Sequence, residues 1–243
     1  MDINDLSENL NNPVYVLNSF YKHDYNRQEN YKKYKKIIKF LKNHKDNANI
    51  YGYLAFIYTT ATIYKTNIKK ATKYAKIGKK LNNALSFTIL GDIYHFGWGV
   101  TKNINKAIIY YNKGSKLNCP SSKTSLAIIY MDKEIGYRNV TTAKKLLYQA
   151  IKLGFNDAYC TLSSVCLLEG NIKKYFKCCT LLIINNNLCG YYLMAIHFDN
   201  NNNIKKAIKY YKKCEYLSFP KLIDVYDSIG DYKKASKLRS KHM

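Results

Sequence analysis

A short phrase returns seven times along this chain, and its spacing constrains the fold more than any single motif does. LNSFY ends at Tyr21, LAFIY at Tyr58, LGDIY at Tyr94 and LAIIY at Tyr130. LSSVC then ends at Cys166, LMAIH at His197 and LIDVY at Tyr226, giving steps of 37, 36, 36, 36, 31 and 29 residues. Most copies are followed by a Lys-rich segment, often of the KKA type. A fixed period of about 20 to 50 residues marks an array in which each unit buries its apolar face against its neighbours.

The clearest copy runs from Ala84 to Cys119. Phe87, Leu90, Gly91 and Tyr94 fall on one helical stripe. A glycine inside a helix costs about 1 kcal/mol relative to alanine, so Gly91 implies that another helix approaches closely. Gly97-Trp98-Gly99-Val100 breaks the helix. A second helix begins near Asn103 to Asn105, where asparagine caps free amides, and packs through Ala107, Tyr110, Tyr111 and Gly114. The preceding copy repeats this with Ala71, Tyr74, Ala75, Gly78 and Leu81, while Lys69, Lys73, Lys76 and Lys80 form a charged stripe opposite. The expected architecture is all-α: about seven antiparallel helix hairpins at 11–47, 48–83, 84–119, 120–155, 156–187, 188–219 and 220–243. No Pro/Gly/Ser-rich linker divides this single array, and Pro13, Pro120 and Pro220 are each expected to precede a helix.

The copy at 84–119 resembles the Sel-1-like repeat, a relative of the tetratricopeptide repeat. That family's pattern is matched in order by Leu90, Gly91, Tyr94, Gly97, Gly99, Val100, Lys106, Ala107, Tyr111 and Lys113, with Ser86, Tyr110 and Gly114 replacing Ala, Trp and Ala. Neighbouring copies match in part, and the later ones shorten toward plain tetratricopeptide units. The resemblance implies a right-handed α-solenoid whose first helices line a concave groove and whose second helices form the convex face. It also implies a non-catalytic interaction scaffold that binds a protein partner's segment in the groove. Positions displayed inward by this analogy are Thr88, Asp92 and His95, with Thr124, Ile128 and Met131 in the next repeat. The secreted, cysteine-rich branch of the family is not matched, because no cysteine pair recurs.

The charge is unevenly placed. The chain carries 40 basic against 16 acidic residues, a net charge of +24. Windows expected to form second helices hold 31 of the 37 lysines; from the second repeat onward, first-helix windows hold only Lys123 and Lys221. The outer face is therefore expected to be basic, with Lys69, Lys73, Lys76, Lys80, Lys205, Lys209 and Lys212 as representatives. Solvation accounts for such a face. The alternative is binding of nucleic acid or an anionic surface through it. Only Arg27, Arg138 and Arg239 are arginine, the residue whose planar fork suits phosphate. Lys, Asn, Ile and Tyr also share A/T-rich codons, so an AT-rich genome contributes to the count. Tyr110, Tyr111, Tyr210 and Tyr211 interleave the lysines, at spacings that match packing positions.

No catalytic constellation is legible. The five histidines form no metal-binding pair, no phosphate loop or paired carboxylates recur, and the seven cysteines lack zinc spacing. His197 and Cys166 are expected in the packing slot that Tyr holds elsewhere. The cysteines read as small buried hydrophobes in a reducing compartment. No cofactor or metal is expected, nor an enzyme. The N-terminus is acidic and polar and no apolar run is long enough to cross a bilayer, so a soluble intracellular protein is expected.

Overall fold

The computed structural model describes residues 3–21, 27–44, 46–59 and 67–242. They fall into two compact units that divide after Thr161, and among the described residues all regular structure is helical.

The first unit holds α1 (Ile3–Glu8), α2 (Pro13–Tyr21), α3 (Arg27–Asn43), α4 (Asn49–Thr59), α5 (Ile68–Lys80), α6 (Ala84–Phe96), α7 (Ile104–Lys116), α8 (Pro120–Met131), α9 (Val140–Lys152) and the start of α10 (Ala158–Leu168). Helices α4 and α5, α6 and α7, and α8 and α9 pair as hairpins. Helix α5 also lies against α6, and α7 against α8. The first helices touch one another, α4 on α6 and α6 on α8, whereas the second helices make no comparable pairing among the described residues. The first helices therefore lie on the inside of this unit's curve. Their burial agrees: seven consecutive residues of α4, from Gly52 to Tyr58, are buried, as are Leu85 to Gly91 of α6.

The second unit holds the end of α10, then α11 (Ile172–Ile184), α12 (Cys189–Asn200), α13 (Ile204–Lys213), α14 (Glu215–Ser228) and α15 (Tyr232–His242). Its core joins Ala195, Ala207, Tyr211, Leu222, Val225 and Tyr226.

One set of backbone bonds repeats through both units. An Asn or Asp caps the second helix in six copies, its side chain accepting the N–H three residues on: Asn67, Asn103, Asn139, Asn171, Asn203 and Asp231. The cap's own N–H donates to the carbonyl of the phrase-ending residue, at Tyr58, Tyr94, Tyr130, Cys166, Phe198 and Tyr226, over 2.7–2.9 Å. This bond corrects the sixth copy, where the slot belongs to Phe198 and not to His197. Ring geometry agrees, since Phe198 stacks on Tyr210 as Tyr94 does on Tyr110 and Tyr58 on Tyr74, with centroids 5.5–5.8 Å apart. A lysine three residues after the cap lies over the first ring in four copies: Lys70, Lys106, Lys206 and Lys234.

Second helices end alike. Asn82, Asn118, Gly154 and Asn186 take left-handed backbone conformations, and the next N–H bonds five residues back, to Gly78, Gly114, Ala150 and Leu182. These are Schellman ends. A second correction concerns Pro220. Pro13 and Pro120 open α2 and α8 as expected, but Pro220 lies inside α14, which starts at Glu215. Only Cys214 separates α13 from α14, so no left-handed Asn or Gly intervenes there.

Candidate functional site

Gly91 organises the second half of α6. A β-carbon there would fall into the Tyr111 ring, so only glycine lets this fully buried ring lie on the α6 backbone. The ring's position carries its hydroxyl to Asp92, to which it donates at 2.7 Å, and to within 3.3 Å of His95 Nδ1. A phenol has one proton, and Asp92 takes it, so His95 Nδ1–H donates to the Tyr111 oxygen.

The electrostatics follow from enclosure. Burial pushes the Asp92 carboxyl up to about 6, against the lowering effect of the Tyr111 bond. Burial also raises Tyr111, helped by the Asp92 charge, and keeps it a neutral donor. His95 is lowered by burial first, then by Lys102, with Asp132 opposing.

Lys102 and Asp132 line a hollow of about 600 Å3, together with Asn105, Glu134, Ile135 and Tyr137. It is formed by the connections α6–α7 and α8–α9, and Tyr137 closes one side by donating to Asn105 at 2.8 Å. His95 stacks on Phe96 at 4.5 Å, and Phe96 on Trp98 at 5.1 Å. Phe96 is 58% exposed.

The remaining expected groove positions divide. Ile128 is 46% exposed and Met131 half-buried, at the same end of α8. Thr124 is half-buried and donates to the Pro120 carbonyl of its own helix. Thr88, at 3% exposure, is not displayed. Its hydroxyl lies 2.6 Å from that of Ser122 and 3.3 Å from the Cys119 sulfur, and so ties α6 to α8. Lys123 is likewise withdrawn, at 7% exposure, its ammonium donating to the Ser115 carbonyl and to Gln149. Burial lowers its pKa.

All seven representative lysines of the basic face are exposed: Lys69, Lys73, Lys76, Lys80, Lys205, Lys209 and Lys212. Tyr110 and Tyr210 spend a face on the stacks described above, and Tyr111 and Tyr211 are fully buried, so these four rings pack the hairpins. Cys119, Cys166, Cys178, Cys179 and Cys214 are buried. Burial, with Cys166 alongside, pushes the Cys178 thiol up to about 12, the reverse of an activated nucleophile. No group of His, Cys, Asp and Glu suited to a metal ion occurs among the described residues, and none of their helices is long and apolar enough to cross a membrane. Sequence reasoning missed Phe96 and the hollow; the hollow arises from two connections 30 residues apart in sequence, and no spacing rule announces it.

Comparison with known proteins matches the Sel1 repeat family model to residues 88–119 and 199–213. The second stretch covers the end of α12 and all of α13, beyond the copy whose motif is complete. No curated protein sequence matches the chain. Among solved structures, a Sel1 repeat protein from Oxalobacter formigenes is similar with a TM-score of 0.55 and 18% identity, over 81% of this chain and 82% of that one. A protective antigen present in uropathogenic Escherichia coli strains, displaying an SLR fold, is similar with a TM-score of 0.55 and 15% identity, over 74% of this chain and 41% of that one.

Proposed function

We propose that this chain, which matches the Sel1 repeat family model over residues 88–119 and 199–213 and shares an all-α solenoid fold with Sel1 repeat structures, is a non-catalytic scaffold that holds a segment of another protein at the α6/α8 end of its first unit. Sel1 repeat proteins generally mediate protein–protein interactions. The observation that supports this location is the exposure of Phe96 at the end of α6 and of Ile128 on α8, the helix that α6 packs against, near a polar hollow whose Lys102 and Asp132 act on His95. An apolar strip with a few placed polar groups suits an extended or helical peptide. Affinity capture from the native host with the wild type and a Phe96→Ala/Ile128→Glu variant tests it. Both side chains are exposed, so the variant keeps its melting temperature while losing a partner. Equal recovery of every partner refutes the location.

A second reading has its own support. The lysines of α5 and α13 are exposed, whereas the ion pairs Lys234–Asp231, Lys241–Glu215 and Arg239–Asp227 lie near the C-terminus. A polyanion would neutralise this excess. Oligonucleotide titration at low and moderate salt decides, because phosphate contacts make affinity fall steeply with salt. Absence of binding at low salt removes this reading.

A further inference from the structure

Helix α2 carries the first copy of the phrase, and α1 precedes it. Asn12 caps α2 by accepting the Tyr15 N–H at 3.1 Å, Pro13 opens the helix, and the Tyr15 hydroxyl donates to the Asp5 carboxylate at 2.6 Å. A helix that merely covered the end of an array would touch its terminal hairpin alone.

Residues 10–18 instead bridge two turns about a hundred positions apart in sequence. At one end, the Leu10 carbonyl accepts from the Tyr53 hydroxyl at 3.1 Å and from Asn49 Nδ2 at 3.4 Å, and Asn47 Nδ2 donates to Asn11 Oδ1 at 2.6 Å. At the other, Asn18 Nδ2 donates to the carbonyl of Gly154 at 2.9 Å. Gly154 is the left-handed residue between α9 and α10, and Val14 lies beside it. Between these anchors Val16 and Leu17 are fully buried. Of this stretch only residues 13–18 are helical, so fewer than two turns of helix separate the anchors.

We propose that the inner side of residues 47–154 is a receiving site for a short apolar helix, and that the chain's own α2 fills it in cis. Polar anchors at both ends set the register, and two aliphatic side chains in the middle supply the buried contact. The matching ligand is a helix preceded by an accessible carbonyl and carrying an Asn at its sixth position, which is the chemistry of residues 10–18. Held in cis, α2 acts at an effective concentration on the order of 1 mM and excludes the same segment offered in trans. The inference does not rest on the partner reading above, because its test uses only this chain's own segment.

The test is a labelled peptide of residues 3–21 titrated against two full-length proteins, the wild type and a Val16→Asp/Leu17→Asp variant. The substituted α2 cannot remain buried, so the variant takes up the peptide, whereas the wild type binds it roughly 100-fold more weakly because cis occupancy competes. A peptide carrying the same two substitutions binds neither protein. Circular dichroism on the variant accompanies the titration. Equal binding to both proteins, or binding to neither, overturns the proposal. Collapse of the variant's helical signal overturns it too, since α2 would then be an obligatory part of the core rather than a ligand.

Discussion

Gly91 and Tyr111 show how one missing side chain sets a local arrangement. With no β-carbon, α6 accepts the Tyr111 ring against its backbone, and the ring delivers a hydroxyl to Asp92. Replacing Gly91 with Leu overpacks this contact and costs roughly 1–3 kcal/mol, whereas exposed Lys73→Ala changes stability by about 0.5 kcal/mol at most; urea denaturation of the two variants measures the gap. The close approach was legible in sequence, because a mid-helix glycine carries a cost that something must offset. The state of Asp92 was not, since it depends on which ring covers it. With a folded pKa of about 6, above the unfolded value near 3.9, Asp92 binds more protons when folded. Its stabilising effect is full below about pH 4 and is lost as pH rises through 6. His95, lowered by burial, acts in the opposite sense and loses stability on acidification. The comparison is therefore between wild type and Asp92→Asn. Melting temperatures from pH 4 to 7 should show the wild type losing up to about 2 kcal/mol relative to the variant; parallel curves would mean that Asp92 titrates normally.

At the scale of the element, the shortened late copies have a simple cause. The phrase-ending residue precedes its cap by nine positions at Tyr58, Tyr94 and Tyr130, but by five at Cys166, Phe198 and Tyr226, and the same hydrogen bond closes both. Gly170, Asn202 and Gly230 take left-handed conformations in the short connections, which tightens the turn without altering the helices it joins. The last copy loses a further turn at Cys214. The caps are testable: Asn103→Ala removes the acceptor for Lys106 N–H and should cost about 1 kcal/mol, while Asn103→Asp should keep it. At Asn118, with φ +58°, Gly should be tolerated and Val should cost about 1–2 kcal/mol. Chemical denaturation of these four variants gives the order. Second-helix starts were readable because Asn recurs at five of the six described caps, with Asp231 at the sixth. The slip to Phe198 was not, because ring side chains, His197 and Phe198, fill both positions and only the backbone bond chooses between them.

For the whole molecule, charge is the property that composition announces most loudly. At +24, self-repulsion opposes compactness. Raising salt from about 10 to about 150 mM shortens the screening length from roughly 30 to 8 Å, so thermal scans should show the melting temperature rising over that interval. A flat response would mean that the lysines are already neutralised locally. The period of the phrase by itself determined the helix hairpins, their caps and the outward placement of lysine, because each is a short-range consequence of side-chain spacing. Only the tertiary structure decided that Thr88 and Lys123 are buried, that Tyr111 governs Asp92, and that α2 lies between Tyr53 and Gly154. Those contacts join positions 8 to 136 residues apart, and a pattern that repeats every hairpin holds no information about which surfaces it brings together.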